Sequence, residues 1–256
     1  MSLGRYKTAG ETLQQVGREL GLGTTVDPFA SSNAVWLRLV SALVRAGRRL
    51  AASYEWPQLI GEALLVKSGG VWTLPTGWSV SSGDVLNLPA DWDHMISRTH
   101  WDRTNQTPAG GPLNPQTWQY RQASVLQTIW AEYREATNTL SFLPTPLGDR
   151  TLAMEYASTA WVRPAASGLG NGNTLGAAGW DTPEASGDFV LFAPEVINAA
   201  TTLEYKKMTG QFTGQAQRDF DELVSTYVAK TPRPVLSLDG KDQRAHFLVP
   251  ETGFGS

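Results

Sequence analysis

The residues best suited to chemistry crowd into one stretch, Asp84 to Asn105. It holds Asp91-Trp92-Asp93-His94 and His100-Trp101-Asp102-Arg103 among apolar pieces too short to be helices. Asp91 with Asp93, Asp102, Glu132 or Glu155 could supply the two carboxylates that flank a glycosidic bond in a sugar-cleaving enzyme. Tryptophan rings could stack on sugars. His94 and His100 are six positions apart, which is neither the i,i+4 pair of a helical metal site nor an HExxH pattern, and His246 is remote in sequence. Gly168-Leu-Gly170-Asn-Gly172 lacks the third glycine and the strand–helix setting of a dinucleotide fingerprint. There is no Walker sequence and no Gly-x-Ser-x-Gly nucleophile elbow. The motifs therefore imply no metal and no cofactor, and spacing alone gives no acid-pair geometry.

Elements that could position this stretch follow from hydrophobic periodicity. Leu13, Val16 and Leu20 predict a helix over Thr12 to Leu22, stopped by Gly21 and Gly23. A second helix is predicted from about Asn33 to Ser53, with Val35, Leu39, Leu43, Ala46 and Leu50 on one face and Leu37, Val40 and Val44 widening it. It carries Arg38, Arg45, Arg48 and Arg49 and no acid. These arginines either form a solvated face whose C-terminal members complement the helix dipole, or meet an acidic partner.

The middle of the chain alternates as strands do. Glu62 to Lys67 and Val71 to Leu74 flank Gly69-Gly70, a hairpin turn signal. Ile129, Ala131 and Tyr133 alternate with Trp130, Glu132 and Arg134; Asn138 then turns the chain into Leu140 and Phe142. Leu152, Met154 and Tyr156 alternate with Ala153 and Glu155. Asn114-Pro115 reads as an N-cap with proline at the first helical position. Residues 164 to 188, rich in Gly, Ala, Ser and Asn, read as a long loop. Pro194 opens a helix with Val196, Ala200 and Leu203 inward, and Phe212, Ala216, Phe220, Leu223 and Tyr227 mark a last helical stripe. Trp36, Trp56, Trp118, Trp130 and Trp161 fall at predicted core or element-end positions, so packing competes with sugar stacking as the role of tryptophan.

Composition narrows the partners. Charged residues make up 18% of the 256, below the roughly 25% usual for soluble domains, which suits a surface partly covered by other chains. A net charge of −3 argues against broad nucleic-acid binding. No cysteine is present, so disulfides and thiol chemistry are excluded. Met1-Ser-Leu-Gly does not read as a signal peptide, and no apolar run approaches the ~20 residues of a membrane span. A soluble protein made in the cytoplasm is expected. The segment 231–256 is punctuated by Pro232, Pro234 and Pro250 yet holds Val235, Leu236, Leu238, Phe247, Leu248 and Phe254. It either folds back on its own domain or binds along another subunit.

Read in order, several motifs resemble one family. They are Tyr54-Glu55-Trp56, Leu88-Pro-Ala-Asp91, Trp101-Asp-Arg103 and Gly111-Pro-Leu-Asn-Pro-Gln-Thr-Trp118. Leu140-Ser-Phe-Leu-Pro-Thr-Pro146, Met154-Glu-Tyr-Ala-Ser158 with Trp161-Val162, and Lys206-Lys207 follow. Over residues 10 to 230 this series resembles the head-to-tail adaptors of short-tailed phages, the tail tubular protein A or tail accessory factor family. The resemblance implies a structural protein of the virion, made in the host cytoplasm, and not an enzyme. About twelve copies would ring the underside of the portal protein, extend the DNA channel without reading its sequence, and dock the tail nozzle. It implies no cofactor and no membrane contact.

The expected fold is α+β: a helical bundle from residues 1–58 and 193–230, an inserted antiparallel β-sandwich or barrel-like domain at 59–165, a glycine-rich loop at 166–192 and an extended tail at 231–256. Portal contact is expected at Val235, Leu236, Leu238, Phe247, Leu248 and Phe254 and at Arg45, Arg48 and Arg49. Ring or nozzle contact is expected at Trp92, Trp101, Arg103 and Trp180. The alternatives are a cell-wall glycosidase built on Asp91, Asp93 and Glu132, or a carbohydrate-binding module using exposed tryptophan.

Overall fold

A computed structural model describes residues 6–23, 25, 27–124, 130–165 and 180–230. Among them the chain is α+β, with five helices and several antiparallel sheets. Helix α1 spans Ala9–Glu19, three residues earlier than its apolar spacing suggests. The reason is a capping box: the Thr8 hydroxyl accepts from the Glu11 amide at 3.2 Å, and the Glu11 carboxylate accepts from the Thr8 amide at 3.0 Å. Helix α2 spans Ala34–Ser53, and the Asn33 side chain caps it by accepting from the Val35 amide at 2.9 Å.

The buried stripe of α2 is rotated from the predicted one. Leu39, Leu43, Ala46 and Leu50 are buried as expected, but Trp36, Ala42 and Gly47 join them while Leu37 is 50% exposed. Two glycines cause the rotation by admitting indole rings. A Cβ on Gly17 of α1 would lie 2.6 Å from the Trp36 ring, and one on Gly47 would lie 2.2 Å from the Trp161 ring. Helix α3, Pro115–Ala123, has the predicted cap, with Asn114 accepting from the Thr117 amide at 2.7 Å. Helices α4, Pro194–Met208, and α5, Gly214–Lys230, complete the set. Because α5 begins only at Gly214, Phe212 falls outside its register and is 85% exposed; Phe220 is buried as expected, Val224 joins it, and Ala216 and Tyr227 pack partly buried against the same core.

Helices α1, α2, α4 and α5, from the two ends of the described chain, share one hydrophobic core with Trp56, Trp161 and Phe192. Part of the segment predicted as a loop enters this core. Phe189–Val190 (β12) pairs antiparallel with Val162–Arg163 (β11), and Val190, Leu191 and Phe192 are buried.

A second core belongs to the sheets. Strands Ile60–Ser68 (β1) and Val71–Thr73 (β2) form the predicted hairpin, with Gly69 and Gly70 at φ 57° and 78°. Those positive angles suit a primed two-residue turn, and the Asp149 carboxylate accepts from both glycine amides, at 2.8 and 3.3 Å. Strand β1 also pairs with Arg150–Ser158 (β10), which continues to Trp101–Asp102 (β6) and Thr107–Pro108 (β7), while Trp92–Met95 (β5) pairs with the far end of β10. A second sheet runs Ser79–Ser82 (β3), Val85–Asn87 (β4), Thr139–Leu143 (β9), Glu132–Ala136 (β8). Between β8 and β9, Thr137 and Asn138 take φ 48° and 63°. Trp130, expected at a core or element-end position, sits in the bend before β8 and is exposed, while Ala131 and Tyr133 are buried.

Two polar contacts tie these parts together. Buried Lys67 and Asp84 form an ion pair linking β1 to the β3–β4 turn; Lys67 also donates to the Leu147 carbonyl, and Asp84 accepts from the Leu147 amide, both at 2.7 Å. His94 on β5 lies 2.8 Å from Asp93 and 3.3 Å from Glu55, just past α2, so it bridges the helical layer and the sheet. Burial pulls the His94 pKa down, but hydrogen bonds and charge from Asp93 and Glu55 outweigh it and leave it above the ordinary value of 6.5. Its folded pKa being the higher one, this contact stabilises fully below pH 6.5 while the carboxylates stay ionised, and fades as pH rises through the folded value. His94→Gln is expected to lower stability by less than about 1 kcal/mol at pH 5.5, as for exposed ion pairs, and by nothing at pH 8.5. Thermal melts of the two proteins at both pH values check this, and an equal loss at each would count against it.

Candidate functional site

The stretch that looked chemical is split by the strands that hold it. Four of the candidate acids find partners of their own. Asp91 accepts from the Ser158 hydroxyl at 2.6 Å, Asp93 meets His94, and Glu132 lies 3.2 Å from Arg121 of α3. Asp102, almost fully buried, accepts from the amides of Thr104 and Asn105 at 3.0 and 3.1 Å and pairs with Arg150 at 3.2 Å. It thereby closes the β6–β7 turn. Asp91 Oδ1 and Glu132 Oε2 are buried without a hydrogen-bond partner. Among the described residues no group of three His, Cys, Asp or Glu side chains could hold a metal ion. Nor is any described helix long and apolar enough to cross a membrane.

His100 is buried against Tyr133, whose hydroxyl lies 2.9 Å from Nδ1. Burial drives the His100 pKa down to about 4, so the ring is neutral at pH 7, and burial likewise raises the Tyr133 phenol well above its usual value. Trp92 is also committed within the chain. It stacks on Tyr156 with centroids 5.0 Å apart, meets Trp78 edge-on at 5.6 Å, and donates to Glu135 at 3.0 Å.

What remains open is the outer face of the larger sheet. In the registers of β1, β10 and β6, Leu64 stands opposite Ala153, and Ala153 opposite Trp101, so the three form one row across three strands. Leu64 is 39% exposed and Trp101 37%. In the next row Glu62 faces Glu155, two like charges that repel across an antiparallel pair. Arg103 relieves this by pairing with Glu62. Thr99, Trp101, Asp102, Arg103, Gln106 and Ala153 line a shallow depression of about 340 Å³ beside the row. Such a face can pack against a flat surface, with the apolar row at its centre and the charges at its rim.

Of the predicted ring or nozzle residues, the fold thus brings Trp101 and Arg103 together, buries much of Trp92 elsewhere, and sets Trp180 apart, bridged to Val162. Of the predicted portal residues, Val235, Leu236, Leu238, Phe247, Leu248 and Phe254 lie outside the described residues. Arg45 is exposed. Arg48 pairs with Asp181 and Arg49 with Glu204, at 2.9 and 2.8 Å. The last turn of α2 contains no basic residue, so these two arginines hold neighbouring segments rather than complementing the helix dipole. Leu64 and Glu62 were not singled out from sequence, although their outward alternation in β1 is the signal that marks them, and Glu155 stands there only as a candidate carboxylate. The chain matches no protein-family model, and no curated protein matches it.

Proposed function

We propose that this chain is a structural head-to-tail adaptor of a tailed phage, a non-enzymatic virion component that rings the portal, prolongs the DNA channel and presents a surface to the tail nozzle. The observation that carries the reading is the ordered motif series from Tyr54-Glu55-Trp56 to Lys206-Lys207. It is supported by the division of the molecule: helices from both ends share one core, and residues between them build another. On this reading the helices are the bundle that faces the portal, the sheets are an inserted sandwich or barrel-like domain facing the nozzle, and the row Leu64–Ala153–Trp101 is available to pack there. The residues from Val235 to Phe254 are assigned to the portal.

Mixing the purified protein with the portal protein of the same virus is expected to give rings on portal visible by electron microscopy. A chain ending at Lys230 is expected to keep its fold, checked by a thermal melt, yet to lose portal binding. Failure of the full chain to bind portal would overturn the adaptor reading. Normal binding by the shortened chain would overturn the role given to the tail.

A further inference from the structure

We propose that the depression at the Trp101 end of the exposed row is a saccharide subsite. It takes a neutral sugar, with a pyranose ring laid on the Trp101 indole and hydroxyls held by Gln106 and Arg103. The proposal goes beyond the adaptor reading and does not rest on it.

The depression, about 340 Å³, lies near the lower end of the roughly 300–1,000 Å³ range of small-molecule pockets. Its platform is rigid. Strand β6 pairs with β10 on one side and β7 on the other, with Trp101 opposite both Ala153 and Pro108, so the indole stands on a strand held at both edges. Ala153 contributes only a methyl group and leaves the space beside the ring open. Arg103 forms a wall. Its amide donates to the carbonyl of Thr151, two positions from Ala153, at 2.8 Å. Its guanidinium pairs with Glu62, two positions from Leu64 on the other side of the row. The side chain therefore crosses the row, and it lines the depression together with Trp101.

Gln106 supplies the rim. It takes φ 54°, a left-handed angle at which glycine is the least strained residue. Glycine would suit the turn better but would place no amide there. The Gln106 side chain is exposed and makes no hydrogen bond among the described residues.

Charge narrows the ligand. Arg103 is matched by Glu62, and Asp102 by Arg150, so the depression carries no net charge. A phosphate or carboxylate finds no excess of positive charge. A wholly apolar ligand would cut the Gln106 amide off from water without replacing its hydrogen bonds. A pyranose meets both demands. It is uncharged, its C–H face can lie on an indole, and its hydroxyls donate and accept, as the Gln106 carboxamide does. Arg103 has further N–H donors beyond the one it gives to Glu62. Asp102 is committed to Thr104, Asn105 and Arg150 and is the one carboxylate among the described lining residues, so the site binds without cleaving.

The test titrates the full chain with millimolar maltose, cellobiose, lactose and diacetylchitobiose, and with adenosine and glucuronic acid in parallel. An open site of this size makes few buried contacts, so a Kd on the order of millimolar is expected. Each of the ten tryptophans gives one indole N–H signal in nitrogen-labelled protein. At least one of the four disaccharides is expected to move the signal that is missing from Trp101→Ala. That variant should weaken binding roughly tenfold or more, through loss of the aromatic platform. Gln106→Gly should weaken it about threefold to tenfold, through lost hydrogen bonds, while keeping the fold because glycine suits that backbone angle. Thermal melts check that both variants fold. No response at Trp101 to any of the four sugars would overturn the proposal. So would wild-type affinity in either folded variant, or a stronger response to adenosine or glucuronic acid than to the sugars.

Discussion

Lys67→Met is expected to lower the free energy of unfolding by about 3–5 kcal/mol at pH 7, the usual cost of stranding one charge of a buried pair. Lys67 and Asp84 are both buried, and their immediate surroundings are the Trp72 ring and the backbone of Leu147. With the ammonium gone, Asp84 keeps only the Leu147 amide, and the Leu147 carbonyl loses its donor. Adding Asp84→Asn removes the stranded charge and leaves an oxygen able to accept from that amide. The double variant is therefore expected to be more stable than Lys67→Met alone, although it lacks one more native group. Urea unfolding of the wild type, both single variants and the double variant measures the coupling. A Lys67→Met loss below about 1 kcal/mol would show that the pair is not buried as described.

Acidification from pH 6.5 to 4 is expected to remove about 3 kcal/mol of stability through His100 alone. The unfolded side chain takes up its proton near 6.5, whereas the folded ring, desolvated against Tyr133, resists protonation until about 4. Between those values the unfolded state binds more protons, so stability falls as pH falls, by about 1.4 kcal/mol for each pH unit separating the two pKa values. The sign is opposite to that of His94, whose contact strengthens as pH falls toward 6.5 and is already complete below it. His100→Gln keeps a partner for the Tyr133 hydroxyl without the titration. Its stability should be nearly flat from pH 6.5 to 4.5, while the wild type declines. Parallel profiles for the two proteins would mean that His100 is not held neutral in the folded state. Asp149, whose pKa the Gly69 and Gly70 amides depress, acts at still lower pH, since a lowered carboxylate loses its stabilising effect only as pH falls below the ordinary value.

These two residues mark where the sequence stops being informative. Lys67 reads as one more polar residue in an alternating strand, and His100 as a possible ligand or acid. Each takes its character from a partner far along the chain, Asp84 for the first and Tyr133 for the second, and no local pattern names that partner. The same holds for the acid pairs that suggested sugar chemistry. Asp102 with Arg150 and Glu132 with Arg121 are contacts across elements, and they give these carboxylates structural work.

By itself the sequence determined what depends on neighbours in the chain. The Asn33 and Asn114 caps, the Gly69-Gly70 hairpin, the turn at Asn138 and the alternation in β10 are local choices of backbone angle and period, legible from a few residues. The absence of cysteine and of nucleotide or metal motifs was legible for the same reason. The tertiary structure alone decided which way each face turns. It rotated the stripe of α2 toward Trp36 because Gly17 and Gly47 leave room for rings from elsewhere, and it drew Val190, Leu191 and Phe192 out of a predicted loop into the helical core. It also joined Leu64, Ala153 and Trp101 into one row although they come from three distant segments. Burial is a property of what packs on a residue, and that is set by the whole chain at once.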